Sequence, residues 1–64
     1  MRITAFWIKM NKHFGEAYAA SVAQDHVLAE LGSRTAGQAL ADGVDVKTVW
    51  RAVCVTFDVP ESLR

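Results

Sequence analysis

Apolar side chains near the start of the chain recur at the three- and four-residue spacing of an α-helix. They share one arc of the helix surface with His13 at its edge: Ile3, Phe6, Trp7, Met10, His13 and Phe14. This pattern predicts an amphipathic helix over residues 4–14, with Thr4 as its N-cap and Gly15 at its end. Ile8 is the one large apolar residue on the opposite, polar side.

A second helical segment is predicted over residues 16–31, and it carries two apolar stripes instead of one. Tyr18 lies on one side and Val27 on the opposite side. Two stripes indicate either a helix packed on both faces or a break, for which Asp25 is a competent N-cap. The small residues at 17–23 favour close approach of neighbouring helices. We therefore expect one continuous helix, with a break near Asp25 as the alternative.

Two further helices are predicted in the second half of the chain. Thr35, followed three residues later by a glutamine, forms a capping-box pattern at the start of a short helix over residues 35–42. Asp45 is a suitable N-cap for a longer amphipathic helix over residues 46–58. A proline then disfavours further helix, so the tail at 59–64 is expected to fray.

The expected fold class is all-α: a small single-domain bundle of three longer helices and one short helix. No segment shows the alternation of apolar and polar residues that is typical of a half-buried strand. The predicted core is the set of large apolar residues on the helical stripes: Phe6, Trp7, Met10, Phe14, Tyr18, Val22, Leu28, Leu31, Leu40, Val49, Trp50, Val53 and Phe57.

Length, charge and cysteine content limit the possible functions. The 64 residues include seven Lys/Arg and seven Asp/Glu, so a general binder of polyanions is not favoured. So short a chain has little room to enclose a substrate cavity, and we expect that the protein is not an enzyme. A lone cysteine cannot form an internal disulfide, and no apolar run is long enough to span a bilayer. We expect a cytoplasmic protein that does not bind membranes.

Three residues with reactive or metal-binding side chains are interpreted as structural. Cys54 lies on the flank of an apolar stripe, where a free cysteine acts as a small hydrophobe. His13 and His26 are thirteen residues apart, which is unlike the short paired spacing of zinc ligands. Asp25 beside His26 is expected to form capping or neighbouring hydrogen bonds. We therefore predict no catalytic residue, no cofactor and no metal ion.

Five strings resemble one known family in order and spacing. They are M-R-I-T-A-F-W (1–7), H-F-G-E-A-Y (13–18), D-H-V-L (25–28), G-V-D-V-K-T-V-W-R-A-V-C (43–54) and D-V-P (58–60). They resemble the actinobacterial domain-of-unknown-function family 3046, which implies a compact helical bundle in a cytoplasmic bacterial protein. The family has no established activity, so no site residue is carried over. Its members are often encoded near recombinase genes, which suggests a DNA-repair setting.

Two functions remain: a protein-interaction role and, as the alternative, a DNA-binding helix-turn-helix over residues 35–54. Its small residue, turn glycine and core aliphatics would be Ala39, Gly43, Val44 and Val49. Lys47, Thr48 and Arg51 would then reach phosphates or base edges in the major groove. Two acidic residues, Asp42 and Asp45, and the placement of Trp50 on the core stripe weigh against this alternative.

We favour a non-enzymatic interaction or regulatory module. Ile8 and Val55 are aliphatic residues on otherwise polar arcs, and Val55 departs from the polar residue expected from the family resemblance. If folding brings them together with the tail and its Leu63, they form a surface for an unidentified protein partner or for a second copy of the chain. The edge of Arg2, Lys9 and Lys12 would supply charge beside this surface. Nucleic acid is the less favoured partner.

Overall fold

The computed structural model describes all residues, 1–64, and is mostly helical. The helices are α1 (Ile3–Phe14), α2 (Glu16–Asp25), α3 (Ala36–Ala41) and α4 (Val46–Phe57). Between α2 and α3 the chain forms a two-stranded antiparallel sheet of β1 (Val27–Leu28) and β2 (Arg34–Thr35). Turns of 3-10 helix cover Ala29–Leu31 and Glu61–Leu63. The prediction of a mainly helical fold is confirmed, but the expectation of a purely all-α protein is wrong.

Backbone geometry at Gly15 separates α1 from α2. Its φ of 88° is a value that side-chain-bearing residues rarely adopt, and its N–H donates to the Asn11 carbonyl at 2.8 Å. The predicted end of α1 at Gly15 is confirmed. The predicted N-cap is wrong, because α1 begins earlier and Arg2 holds the cap position. The Phe6 N–H already donates to the Arg2 carbonyl at 3.1 Å, so Thr4 lies inside the helix.

The expected continuous helix over 16–31 is wrong, and the alternative, a break near Asp25, is what the structure contains. His26 is extended, and the next two residues pair with β2 in the register Val27 to Thr35 and Leu28 to Arg34. This pairing provides hydrogen-bond partners for backbone N–H and C=O groups that would have bonded within the helix if α2 had continued. Leu28 and Leu31 are buried, but Leu28 lies in the strand β1 and Leu31 in the following 3-10 turn, and neither lies on the face of an α-helix.

The two predicted caps in the second half of the chain differ: the cap of α3 forms its hydrogen bond, and the cap of α4 does not. The Thr35 hydroxyl accepts a hydrogen bond from the Gln38 N–H at 3.1 Å, so the predicted cap is confirmed. Gly43 has a φ of 87° in the turn that follows α3. Asp45 holds the N-cap position of α4, but its side chain forms no capping hydrogen bond.

The core combines large side chains from α1 and α4 with small ones from α2 and α3. Its buried members are Phe6, Met10, Ala19, Val22, Ala23, Leu28, Leu31, Ala36, Ala39, Val49, Trp50, Ala52, Val53, Cys54 and Val59. Four other predicted core residues, Trp7, Phe14, Leu40 and Phe57, are partly buried against it. Tyr18 is 60% exposed, so its placement in the core is wrong. It lies about 100° around α2 from the buried Ala19.

The C-terminal tail is ordered against the helices, contrary to the expected fraying. Val59 is buried, and its N–H donates to the Cys54 carbonyl at 3.0 Å. The Arg64 Nε donates to the Val59 carbonyl at 2.8 Å, and Lys9 Nζ donates to the Arg64 main-chain oxygen. These contacts place the tail beside both α1 and α4. None of the helices has the length and apolarity needed to cross a membrane.

Candidate functional site

Basic side chains gather around a shallow groove between α1 and the tail, the α1–tail groove. Its volume is about 280 Å³, and its lining consists of Ile8, Lys9, Lys12, His13, Ser62, Leu63 and Arg64. Spacings of three and four residues place Ile8, Lys9 and Lys12 close together on the outer side of α1. No Asp or Glu side chain lines this groove.

A second groove, the α4 groove, runs along the outer side of α4. Its volume is about 390 Å³, and its lining consists of Met1, Lys47, Trp50, Arg51, Cys54, Val55 and Arg64. Steps of four residues align Lys47, Arg51 and Val55 along the helix. Arg64 lines both grooves, so they adjoin each other. Together they form what we call the basic face.

No carboxylate side chain shares either groove of the basic face. The one ion pair in the structure joins Arg34 to Asp42 at 3.6 Å, and neither residue lines a groove of the face. A third, smaller groove does contain an acid, Glu30, together with Thr48 and Arg51. Cationic side chains are therefore concentrated around the two grooves of a chain whose formal net charge is zero, although Arg51 also borders the third groove beside Glu30.

Two buried side chains lie beneath the α4 groove. Cys54 is 1% exposed, and burial raises the pKa of its thiol above the ordinary value of 9.0, although the positive charges of Arg64 and Lys9 partly oppose the shift. The thiol is neutral at physiological pH and is a poor nucleophile. Trp50 is 4% exposed and meets the ring of Phe6 edge-on at 6.1 Å. Its indole Nε1 has no hydrogen-bond partner.

The histidines pack against aromatic rings. His13 meets Phe14 edge-on with 4.6 Å between ring centroids, as expected for a half-buried packing residue. The ring of His26 lies 4.6 Å from that of Phe57. Asp25 accepts a hydrogen bond from the Ser21 hydroxyl at 3.2 Å, on the last turn of α2. No three His, Cys, Asp or Glu side chains are grouped so that they could hold a metal ion.

The structure divides both sets of predicted site residues. Of the interaction set, Ile8, Lys9 and Lys12 line the α1–tail groove and Val55 lines the α4 groove. Of the nucleic-acid set, Lys47 and Arg51 line the α4 groove, whereas Thr48 lies in the third groove with Glu30. The two aliphatic residues, Ile8 and Val55, therefore do not share a groove.

Arg64 is the residue of this surface that sequence reasoning missed. It joins the two grooves through hydrogen bonds of the tail to residues 5 and 55 positions away. Helical periodicity does not predict hydrogen bonds between the tail and residues that are distant in the sequence. Trp50 was expected in the core, and the pattern gave no sign that it also lines a groove.

Comparison with known proteins adds the family. Residues 1–62 match the model of a family described as "Protein of unknown function (DUF3046)". The chain belongs to this family. The match confirms the resemblance of the five sequence strings, and the DUF3046 description assigns no site residue. No solved structure matches the chain.

One curated relative of this DUF3046 chain is much longer. It is a protein of Mycobacterium tuberculosis (strain ATCC 25618 / H37Rv) with the description "Putative envelope-preserving system protein Rv2742c". The two are 49% identical over 39 residues, which is 61% of this chain and 14% of that protein. The chain thus corresponds to a small part of the relative.

Proposed function

We propose that the protein is a non-enzymatic interaction module whose basic face binds an acidic, partly apolar segment of another protein. The observation that carries the proposal is charge segregation. Five of the seven Lys and Arg residues line the two adjoining grooves, and no Asp or Glu side chain does: the five are Lys9, Lys12, Lys47, Arg51 and Arg64. Complementary charge speeds encounter and selects the partner.

Exposed aliphatic side chains beside these cations support a protein partner. Ile8 is 66% exposed in the α1–tail groove, and Val55 is 54% exposed in the α4 groove. Interfaces pair apolar contact area with a polar rim, and an amphipathic helix supplies both when it lies in a groove. A helix with Glu on one side and Leu on the other matches this mixed surface.

The alternative, DNA binding through residues 35–54, is supported by a capped α3, the turn at Gly43, and exposed Lys47, Thr48 and Arg51 on α4. Two observations favour the protein partner. Asp45 is exposed at the N-cap position of α4, where it would face DNA phosphates. Trp50 is buried, whereas exposure of this side chain would have favoured a recognition helix.

The test is the binding of a fluorescent synthetic amphipathic helix with Glu on its polar side and Leu on its apolar side. We expect Lys9→Glu with Lys12→Glu, and separately Lys47→Glu with Arg51→Glu, to weaken binding about tenfold or more. Arg2→Glu, which reverses one charge outside both grooves, is the control and should bind within about twofold of the unchanged protein.

Two outcomes would contradict the proposal. The first is absence of peptide binding at low salt. The second is tighter binding of a generic DNA duplex than of the peptide, with the steep salt dependence of phosphate contacts. The second outcome would establish the helix-turn-helix alternative in its place.

A further inference from the structure

A further groove, the α2 groove, runs along the outer side of α2. Its volume is about 150 Å³, and its lining consists of Tyr18, Ser21, Val22, Asp25 and His26. None of these residues lines either groove of the basic face. The volume is smaller than that of pockets for small molecules, so the occupant that fits is a single side chain.

Two aromatic rings border the α2 groove, and both pack against phenylalanines. Tyr18 is 60% exposed, and its ring lies 6.1 Å from that of Phe14. The exposed ring of His26 lies 4.6 Å from that of Phe57. The two phenylalanine rings meet edge-on at 5.1 Å, so the four rings form one connected cluster. The cluster restrains both bordering rings before any ligand binds, which lowers the entropic cost of binding.

The α2 groove also contains a carboxylate that no cation neutralises. Asp25 accepts a hydrogen bond from the Ser21 hydroxyl at 3.2 Å, and its other carboxylate oxygen accepts none. Neither Lys nor Arg lines the groove, and Asp25 forms no ion pair. A guanidinium group stacks on aromatic rings and donates two hydrogen bonds to a carboxylate. The α2 groove therefore suits the side chain of an arginine.

The chain itself carries an arginine that is free to fill such a groove. Arg34 is paired with an aspartate, and Arg64 donates to a main-chain carbonyl of the tail. Arg2 is exposed but lies in none of the grooves. Arg51 is exposed on α4, lines the α4 groove, and forms neither a hydrogen bond nor an ion pair. Arg51 is therefore the arginine best placed to reach another molecule.

Each of the two surfaces also carries an exposed valine beside its charged group. Val55 follows Arg51 by one helical turn and is 54% exposed, and Val27, next to His26, is also 54% exposed. A cation with a neighbouring valine on α4 thus matches a carboxylate with a neighbouring valine at the end of α2. This complementarity of charge and apolar area points to a second copy of the chain as the occupant.

We propose that Arg51 of one copy enters the α2 groove of a second copy, where its guanidinium pairs with Asp25 and stacks on the ring of Tyr18. The two surfaces are different parts of the chain, so the contact is head-to-tail and can repeat from copy to copy. The proposal goes beyond the proposed function. Because Arg51 also lines the basic face, a second copy and the acidic partner segment exclude each other there.

The first test is sedimentation velocity over a series of protein concentrations up to about 1 mM. We expect the unchanged protein to associate as its concentration rises, and Arg51→Glu and Asp25→Lys each to weaken this association about tenfold or more. Arg2→Glu and Glu16→Lys are the matched controls and should associate as the unchanged protein does. Glu16 is exposed about 200° around α2 from Tyr18 and lines none of the grooves. An unchanged protein that stays monomeric throughout the series would overturn the proposal.

The second test mixes the two variants. Arg51→Glu keeps an intact α2 groove, and Asp25→Lys keeps an intact Arg51, so an equimolar mixture retains one complete contact. We expect the mixture to form a 1:1 heterodimer and no larger species, although each variant alone is monomeric at the same concentration. A mixture that remains monomeric would overturn the head-to-tail contact.

Titration with the acidic peptide separates this proposal from the proposed function. Asp25 lies outside the basic face, so Asp25→Lys should bind the peptide within about twofold of the unchanged protein. If the peptide does not bind but the chain associates through Arg51 and Asp25, the proposed function is wrong and the self-association stands. If the peptide binds but Asp25→Lys associates as the unchanged protein does, the self-association is wrong and the basic face stands.

Discussion

The two halves of the core are built from side chains of different size. The residues that α2 and α3 bury are four alanines and one valine: Ala19, Val22, Ala23, Ala36 and Ala39. A Cβ added at Gly37 would lie 3.3 Å from the Ala23 carbonyl oxygen, so α3 runs very close to α2. By contrast, α1 and α4 bury large side chains such as Phe6, Met10 and Trp50.

This difference separates two ways of stabilising so small a protein. The small-residue half depends on close fit, and it has little space for added atoms. The large-residue half depends on the apolar area that it buries, which in a chain of this length is limited. The basic face lies over this large-residue half, where α1 and α4 carry exposed cations above a buried aromatic layer.

The largest expected effect is the removal of an aromatic ring from the large-residue half. Phe6 is fully buried and meets Trp7 at 5.3 Å and Trp50 at 6.1 Å, both edge-on. Phe6→Ala should lower the free energy of unfolding by about 3–5 kcal/mol, as measured by urea denaturation. Ile8→Ala, on the exposed side of the same helix, should change it by less than about 0.5 kcal/mol. Similar losses for the two variants would refute the assigned core.

A smaller loss is expected when volume is added to the small-residue half. Ala39 is fully buried in α3, and Ala39→Leu should lower the free energy of unfolding by about 1–3 kcal/mol, because the added atoms have no free space. Ala41→Leu places the same side chain on the exposed side of α3 and should be nearly neutral. If Ala39→Leu stabilised the protein, this half would contain space, and the contrast between the halves would be lost.

Next in size is the cap that fixes the start of α3. Thr35→Ala removes the acceptor of the 3.1 Å hydrogen bond from the Gln38 N–H and should cost about 1 kcal/mol. Thr35→Ser retains the hydroxyl and should recover most of that loss. Chemical denaturation of the three proteins measures both values, and equal stability of the Ala and Ser variants would show that the cap contributes nothing.

The smallest expected effect is a pH dependence from Cys54. Burial raises the pKa of its thiol in the folded protein, so the unfolded chain releases this proton more readily. The resulting stabilisation is fully present below the pKa of the unfolded thiol and is lost as the pH rises through the raised, folded-state pKa. Stability should therefore fall more steeply above pH 9 for the unchanged protein than for Cys54→Ala. If the free energy of unfolding of the two proteins changed with pH in the same way above pH 9, the raised pKa of the buried Cys54 thiol would be contradicted.

The sequence predicts the large-residue half well, because its signal is local. Phe6 and Met10 on α1, and Val49 and Val53 on α4, are each four residues apart, which is close to one helical period. The capping of Thr35 is also a pattern within one turn. Side chains that are large and regularly spaced leave few alternative arrangements, and the structure buries all four of these residues.

The small-residue half and the site were harder to predict for physical reasons. Alanine is compatible with buried and exposed positions alike, so Ala19 and Ala20 look equivalent in the sequence although only the first is buried. The strand at Val27 exists because β2 pairs with it, which is not a local property. The junction of the two grooves depends on Arg64, whose contacts reach across the chain.

The most direct test of the basic face is one amide-resolved NMR titration, carried out with the acidic amphipathic peptide and with a generic DNA duplex at the same salt concentrations. We expect the peptide to shift resonances of both grooves, including those of Ile8, Lys12, Arg51 and Val55, and these shifts should persist to higher salt than those caused by DNA. Shifts by DNA confined to Lys47, Thr48, Arg51 and the turn at Gly43, without any response to the peptide, would contradict it.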